Sequence, residues 1–236
     1  METGEARLGI LGGMGPQATQ IFYQRIIDRT LAERDQEHIP TLIWSDAQIP
    51  DRTAFLLAGR GEEVYRRLLA DARLLEGAGC TVIAIPCNTS HYFVDRLQGD
   101  VGIPVLNMVR ETVQRLRDGG RKTVGILATD GTVQMGVYQK ECEKAGLTCY
   151  TPPADIQKLV MSIIYDEIKR GETGSREKFF AIDRAVREAG CDCAILGCTE
   201  LSVYRTWHGL PPFYVDAMDV LAERAIVSCG KKLRNV

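Results

Sequence analysis

The stretch TVIAIPC (81–87) is apolar at nearly every position, and so is AILGC (194–198). A strand with one wet face alternates apolar and polar residues, so a strand apolar throughout must be covered on both faces. LGILGG (8–13) and VGILAT (124–129) have the same character. Whatever sheet these runs form needs helices on both sides, and the intervening sequence supplies them. Residues 16–33 open with Pro16 in the first turn, and residues 62–79 carry apolar side chains at helical spacing and stop at Gly77 and Gly79. TLIWSD (41–46) reads as a second strand, SHYFVDRLQGD (90–100) as a helix and IPVLNM (103–108) as a fourth strand. Strand and helix in alternation predict a parallel sheet sandwiched by helices.

The pattern then repeats. KTVGILATDGT (122–132) has the form of the first strand and turn, followed by a helix over 132–145, a strand at LTCYTP (147–152), and helices over 156–171 and 177–190. CDCAILGCTEL (191–201) again gives strand, cysteine and threonine. Leu11 precedes Cys87 by 76 positions and Leu127 precedes Cys198 by 71, so each cysteine ends the same late strand of its own half. The expected fold is α/β: two similar doubly wound, Rossmann-like lobes with parallel four-stranded sheets, related by a pseudo-twofold axis. Residues 1–106 with a returning segment 210–236 make the first lobe, and residues 107–209 the second. Open α/β sheets bind ligands beyond the carboxyl ends of their strands. Two such lobes facing each other would set Cys87 and Cys198 on opposite walls of one cleft.

Composition narrows the chemistry. A formal net charge of −2 with Lys and Arg spread along the chain offers no basic stripe for nucleic acid or a membrane surface. No apolar run approaches the ~20 residues needed to span a bilayer. The opening METGEARLGILGG lacks the pattern of a secretory leader. The expected compartment is the cytoplasm, where the eight cysteines stay reduced rather than forming a disulfide framework. Cys191, Cys193 and Cys198 are the one grouping that suggests a metal, but their C-x-C spacing with no histidine to follow does not fit zinc, and no metal is expected. Two thiols across a cleft suit the removal of a proton from one face of a carbon and its return to the other. Asn88-Thr89-Ser90 and Thr199-Glu200 are helix-opening residues, and a helix N-terminus can lower a thiol pKa from about 8.5. The same N–H groups and hydroxyls, with Asn88, Thr89 and Thr199 foremost, could hold a carboxylate. His91 reads as a helix-packing residue, and His38 and His208 as surface residues.

GILGGMGPQAT, DAQIPDRT, PCNTSHYF, IYDEIK and GCTEL, in that order over about residues 7–230, resemble the aspartate/glutamate racemase family, aspartate racemases above all. The resemblance implies an isomerase that racemises an acidic amino acid with no pyridoxal phosphate or other cofactor. It implies Cys87 and Cys198 as the acid/base pair, Asn88 and Thr89 on the amino-acid head of the substrate, and the backbone of Met14 at the pocket. Arg52, placed in a loop, and Lys169, at a helix end, match cations that meet carboxylates in aspartate racemases. A small amino-acid substrate and a homodimer are the implied partners. Thr199-Glu200 departs from glutamate racemases, where a histidine follows, which favours aspartate over glutamate. Two other readings compete. Gly13-x-Gly15-x-x-Ala18 after a strand, with Asp46 ending the next, is the pattern of a dinucleotide site, although Pro16 removes an N–H that a pyrophosphate would use. The same fold could also serve a dicarboxylate cis–trans isomerase of the maleate type, or a binding protein without catalysis.

Overall fold

The computed structural model describes residues 6–234. The chain folds into two compact units, one running to Met108 and resuming at Met218, the other running from Val109 to Ala217. In the first unit every residue of β1 (Leu8–Gly12) is buried, as the unbroken apolar run requires. The chain continues through α1 (Pro16–Arg29), β2 (Thr41–Ser45), α2 (Arg52–Leu57), α3 (Gly61–Gly77), β3 (Val82–Ala84) and α4 (Val94–Asp100). The strands are parallel in the order β2-β1-β3. β2 is the outer strand, and its Leu42, Ile43 and Trp44 are 36–39% exposed.

A fourth strand at 103–108 does not form. The segment makes one parallel bridge, Ile83 to Val105, with the Ile83 N–H donating to the Pro104 carbonyl and the Leu106 N–H to the Ile83 carbonyl, both at 2.8 Å. Pro104 has no N–H with which to lengthen the ladder, and α5 (Met108–Asp118) starts immediately afterwards. The first sheet therefore has three strands. No element was expected over α5, yet its buried Met108, Val109, Thr112, Val113 and Leu116 lie at helical spacing.

The second unit holds β4 (Thr123–Ala128), α6 (Asp130–Gln134), α7 (Val137–Ala145), β5 (Thr148–Tyr150), α8 (Ala154–Ser162), α9 (Arg176–Glu188), β6 (Cys193–Gly197), α10 (Thr199–His208) and β7 (Tyr214–Asp216). Its parallel strands run β5-β4-β6-β7. This is the order of the first sheet, with β7 completing the place that Val105 only touches. The single helix expected over 132–145 is two, because Gly136 turns left-handed (φ 65°) between them. Residues 210–236 do not return as one piece. β7 pairs with β6, Leu196 opposite Asp216, and only α11 (Ala217–Ser228), from Met218 on, belongs with the first unit. There Asp219 receives Arg25 at 2.6 Å and Arg29 at 2.7 Å, ion pairs that tie α11 to α1.

The turn after β1 has one conformation open to it. Gly13 sits at φ 89°, and a Cβ there would lie 2.3 Å from the backbone of Asp46. Thr19 locks the turn: its hydroxyl accepts from the Gly13 N–H at 2.9 Å and donates to the Gly15 carbonyl at 3.0 Å. Gly13→Ala is expected to cost roughly 2–4 kcal/mol, from left-handed strain plus a backbone clash. Gly59→Ala, left-handed at φ 72° but with open space around it, should cost only about 1–2 kcal/mol. Urea denaturation of the two variants measures the difference.

Candidate active site

In the first unit, Cys87 follows β3 and is 6% exposed. The chain bends there, with the Cys87 N–H donating to the Ile85 carbonyl at 2.8 Å, and enters a five-residue 3-10 helix, Thr89–Phe93. The α-helix expected at this point begins only at Val94. His91 fixes the bend. Its Nε2 accepts the Met108 N–H at 3.0 Å, so its Nδ1–H donates to the Cys87 carbonyl at 2.8 Å. Burial pushes the imidazole pKa down, which keeps this neutral tautomer. His91 thus braces the backbone of the cysteine, in line with a packing role.

Around Cys87 the buried Asn88 and Thr89 follow in the chain, and Ser90 Oγ donates to Met14 Sδ at 3.2 Å. Arg52 is not in a loop. It is the first residue of α2, a helix whose N-cap Asp51 accepts the Ala54 N–H at 2.7 Å. Its guanidinium leans back on the chain, donating to the carbonyls of Pro50 at 3.0 Å, Ile49 at 3.2 Å and Met14 at 3.4 Å. One end of the first sheet therefore gathers Met14, Arg52 and the Cys87–Ser90 segment.

In the second unit, Cys198 is the N-cap of α10 and lies 7% exposed at the end of β6. Its thiol donates to Glu200 Oε2 at 2.8 Å, and Thr199 Oγ1 reaches the same oxygen at 3.3 Å. Lys169 Nζ donates to Glu200 Oε1 at 2.6 Å. Lys169 is positioned by a break in the helix expected over 156–171. After α8 the chain makes one π-turn, Ile163–Glu167, then a 3-10 turn, Ile168–Arg170. The extra residue in a π-turn rotates everything after it around the axis. Glu167 pins that turn by accepting the Ser175 N–H at 2.6 Å and by pairing with Lys178. Lys169 is accordingly an ion-paired residue, its side chain 26% exposed, rather than a solvated helix end.

The helix N-terminus does not lower the Cys198 pKa. Burial raises it well above the ordinary thiol value and the Glu200 charge adds to this, while Lys169 pulls the other way. A terminal partial charge of about half a unit is outweighed by loss of water plus a full negative charge in contact. Cys198 is held as the protonated thiol. Glu200 is the residue that sequence reasoning missed. Its signal was the position two after the cysteine, in the first turn of a helix, where an acid can fold back on the N-cap.

The dinucleotide reading loses its acid. Asp46 is buried, accepting Arg67 Nε at 2.5 Å and the Gln48 N–H at 2.9 Å, and the Arg67 hydrogen bond holds its carboxyl below the usual range. Among the described residues no group of three His, Cys, Asp or Glu side chains could hold a metal ion, and no helix is long and apolar enough to cross a membrane.

Residues 11–225 match the family model described as Asp/Glu/Hydantoin racemase. The chain belongs to the Asp/Glu/hydantoin racemase family. The broad specificity amino-acid racemase RacX of Bacillus subtilis (strain 168) is 31% identical over 144 residues, 56% of this chain and 59% of the relative. The glutamate racemase of Aquifex pyrophilus is 27% identical over 58% of this chain and 53% of its own length. The chain thus spans a little over half the length of these curated relatives. The solved structure of Picrophilus torridus aspartate racemase superposes with a TM-score of 0.83 at 28% identity, covering 97% of this chain and 96% of that one.

The ionisation of Cys198 gives a direct test. Glu200→Gln removes the charge that opposes the thiolate and frees Lys169 to favour it, so Cys198 should be alkylated by iodoacetamide faster at neutral pH, roughly tenfold for each unit the pKa falls. Lys169→Met should slow the same reaction. Peptide mapping of the Cys198 alkylation rate checks both signs.

Proposed function

We propose that the protein racemises an acidic amino acid without a cofactor, aspartate in first place, with Cys87 and Cys198 as opposed proton carriers. The observation that carries this reading is the equivalence of the two cysteines. Each follows the third strand of a sheet of the same strand order, and each leads into a helical turn bearing Thr. The ionisation of Cys198 supports a division of labour. A buried thiol whose proton is held by Glu200 starts as the acid, so the role of base is assigned to Cys87. The base takes the Cα proton of the bound amino acid, and the electron pair spreads into the substrate carboxylate. The thiol opposite then gives its proton to the other face and is left as the thiolate. After one turnover the two thiols have exchanged states, as a racemase working in both directions requires.

The substrate class rests on charge. Arg52 offers a fork that can grip a carboxylate with two parallel hydrogen bonds, and Lys169 is a second cation, at present on Glu200. A dicarboxylate that draws on Lys169 would weaken its hold on Glu200 and so alter the proton affinity of Cys198. Asn88, Thr89 and Thr199 are the polar groups assigned to the amino-acid head. The cytoplasm and a homodimer belong to the same reading, and the exposed apolar outer strand β2 favours association of copies. Sedimentation of the purified protein measures the latter.

In deuterated water L-aspartate should acquire deuterium at Cα and lose optical rotation with no added cofactor. Cys87→Ser and Cys198→Ser should each lower racemisation at least a hundredfold, the contribution of one general acid/base being about 10²–10⁴-fold. A panel of glutamate and neutral amino acids sets specificity. No exchange with any amino acid, or near wild-type rates in either variant, overturns the assignment.

A further inference from the structure

In the second unit, α9 and the last turn of α10 enclose a groove, completed by the loop before β7, that takes no part in the proposed chemistry. Its volume is about 260 Å³. An apolar cavity of roughly 150 Å³ accepts benzene, so the groove has room for a ring and a short arm. One wall is the face of α9 that carries Arg176, Phe179, Phe180 and Asp183, spaced as one side of a helix. The other is Tyr204 and His208, one turn apart on α10, with Leu210 and Pro211 beyond them. α10 has ten residues and so a length of about 15 Å, with Cys198 at its start and the groove at its end.

The apolar part of the groove is aromatic. Phe179 stacks on Tyr204 with ring centroids 4.6 Å apart, and the His208 ring lies 4.3 Å from that of Tyr204. Most of the polar groups are already paired. The Tyr214 hydroxyl donates to Asp183 at 2.5 Å, Arg187 donates to the same oxygen at 2.8 Å, and His208 Nε2 donates to the Thr173 carbonyl at 2.8 Å. Two groups differ. Among the described residues nothing forms an ion pair or hydrogen bond with Arg176. Tyr204 is 2% exposed, and among the same residues nothing hydrogen-bonds its hydroxyl, although a buried tyrosine ordinarily finds a partner for its O–H. A guanidinium can only donate and a phenol can donate, so the two together suit an anionic acceptor, and a carboxylate has oxygens for both. Arg187 neutralises Asp183, the one carboxylate on this wall that would repel such a ligand.

We propose that this groove binds a small arylalkanoate, a planar ring carrying a carboxylate on a short arm. The ring takes its place against Phe179, Phe180 and His208. The carboxylate accepts from the Arg176 guanidinium and the Tyr204 hydroxyl. The site is separate from the cysteines at the strand ends, and its ligand is a monocarboxylate with an aromatic body rather than an amino acid.

The test is isothermal titration of the full chain with phenylacetate. The expected result is saturable binding at one site per chain, with a dissociation constant at or below about 1 mM. Phenethyl alcohol, which lacks the charge, phenethylamine, which reverses it, and acetate, which lacks the ring, should each bind at least about tenfold more weakly. Arg176→Gln changes an exposed residue and Tyr204→Phe keeps the stacked ring, so both leave the groove walls standing. Each should weaken phenylacetate at least about threefold. Arg52→Gln, which removes the carboxylate fork of the proposed racemase site, should bind phenylacetate as the wild type does. No saturable binding, equal affinity for the alcohol or the amine, or wild-type affinity in both groove variants overturns the proposal. A loss of binding confined to Arg52→Gln puts the probe in the other site and also overturns it. So does sedimentation in which Phe180→Asp dissociates a dimer, which would make the groove an interface between copies. Racemisation is read separately by deuterium exchange, and its failure would leave this result standing.

Discussion

A parallel strand covered on both faces can offer a polar group to a ligand only where it ends. β1, β3 and β6 are buried at every residue, and β4 at all but its first. Their interiors are closed to a ligand, which leaves the turns that follow as the places where a polar side chain can meet one. Each turn is then a problem of satisfying backbone groups. After β1, Thr19 takes up the N–H of Gly13. After β3, the histidine ring links the Cys87 carbonyl to the Met108 N–H. After β6 the helix starts at once, and its first-turn acid folds back on the cysteine. The rigidity of the strands is thereby passed to the side chains at their ends.

Electrostatics around Cys198 shows which effect wins in such a place. The α10 N-terminus favours a thiolate, but over a residue 7% exposed the loss of hydration is larger, and a carboxylate 2.8 Å away adds to it. Lys169 pairs with Glu200 and also pulls the thiol pKa down, but by less than burial and Glu200 raise it. The Lys169–Glu200 pair joins the turn before Lys169 to the start of α10 while it bears on the ionisation of the thiol. The chain's departure from a straight α-helix before Lys169 is what brings the cation to Glu200, so backbone irregularity and charge placement are one device.

Much of this was legible in the sequence, and the failures share a cause. Apolar runs disclosed β1, β3, β4 and β6 and the repeat between halves, because double burial leaves a pattern no loop imitates. The positions of Cys87 and Cys198, after β3 and β6, followed from where those runs end. What periodicity could not show was where regular structure stops. Arg52 reads as loop because a helix of six residues, Arg52–Leu57, is too short for an apolar stripe to declare itself, and only Asp51 at its cap marks it. The π-turn at Ile163–Glu167 keeps helical composition while changing the face that Lys169 occupies. IPVLNM has the residues of a strand, yet Pro104 limits it to one bridge. In each case a local hydrogen-bond requirement overrode a composition that was correctly read.

Glu200 failed to declare itself for a different reason. An acid in the first turn of a helix already has a structural explanation in the macrodipole, so nothing in the sequence separates a dipole partner from a group that holds a thiol proton. The separation comes from the cysteine being the N-cap itself. With no hydroxyl or carboxylate at the cap position, no side-chain cap bond forms there, and the first-turn acid is left to face the cap residue's sulfur. A strong cap at 198 would stabilise α10 but would replace the thiol. Position 198 therefore carries a thiol in place of a capping interaction, and Lys169 and Thr199 supply Glu200 with the partners that keep its carboxylate aimed at that thiol.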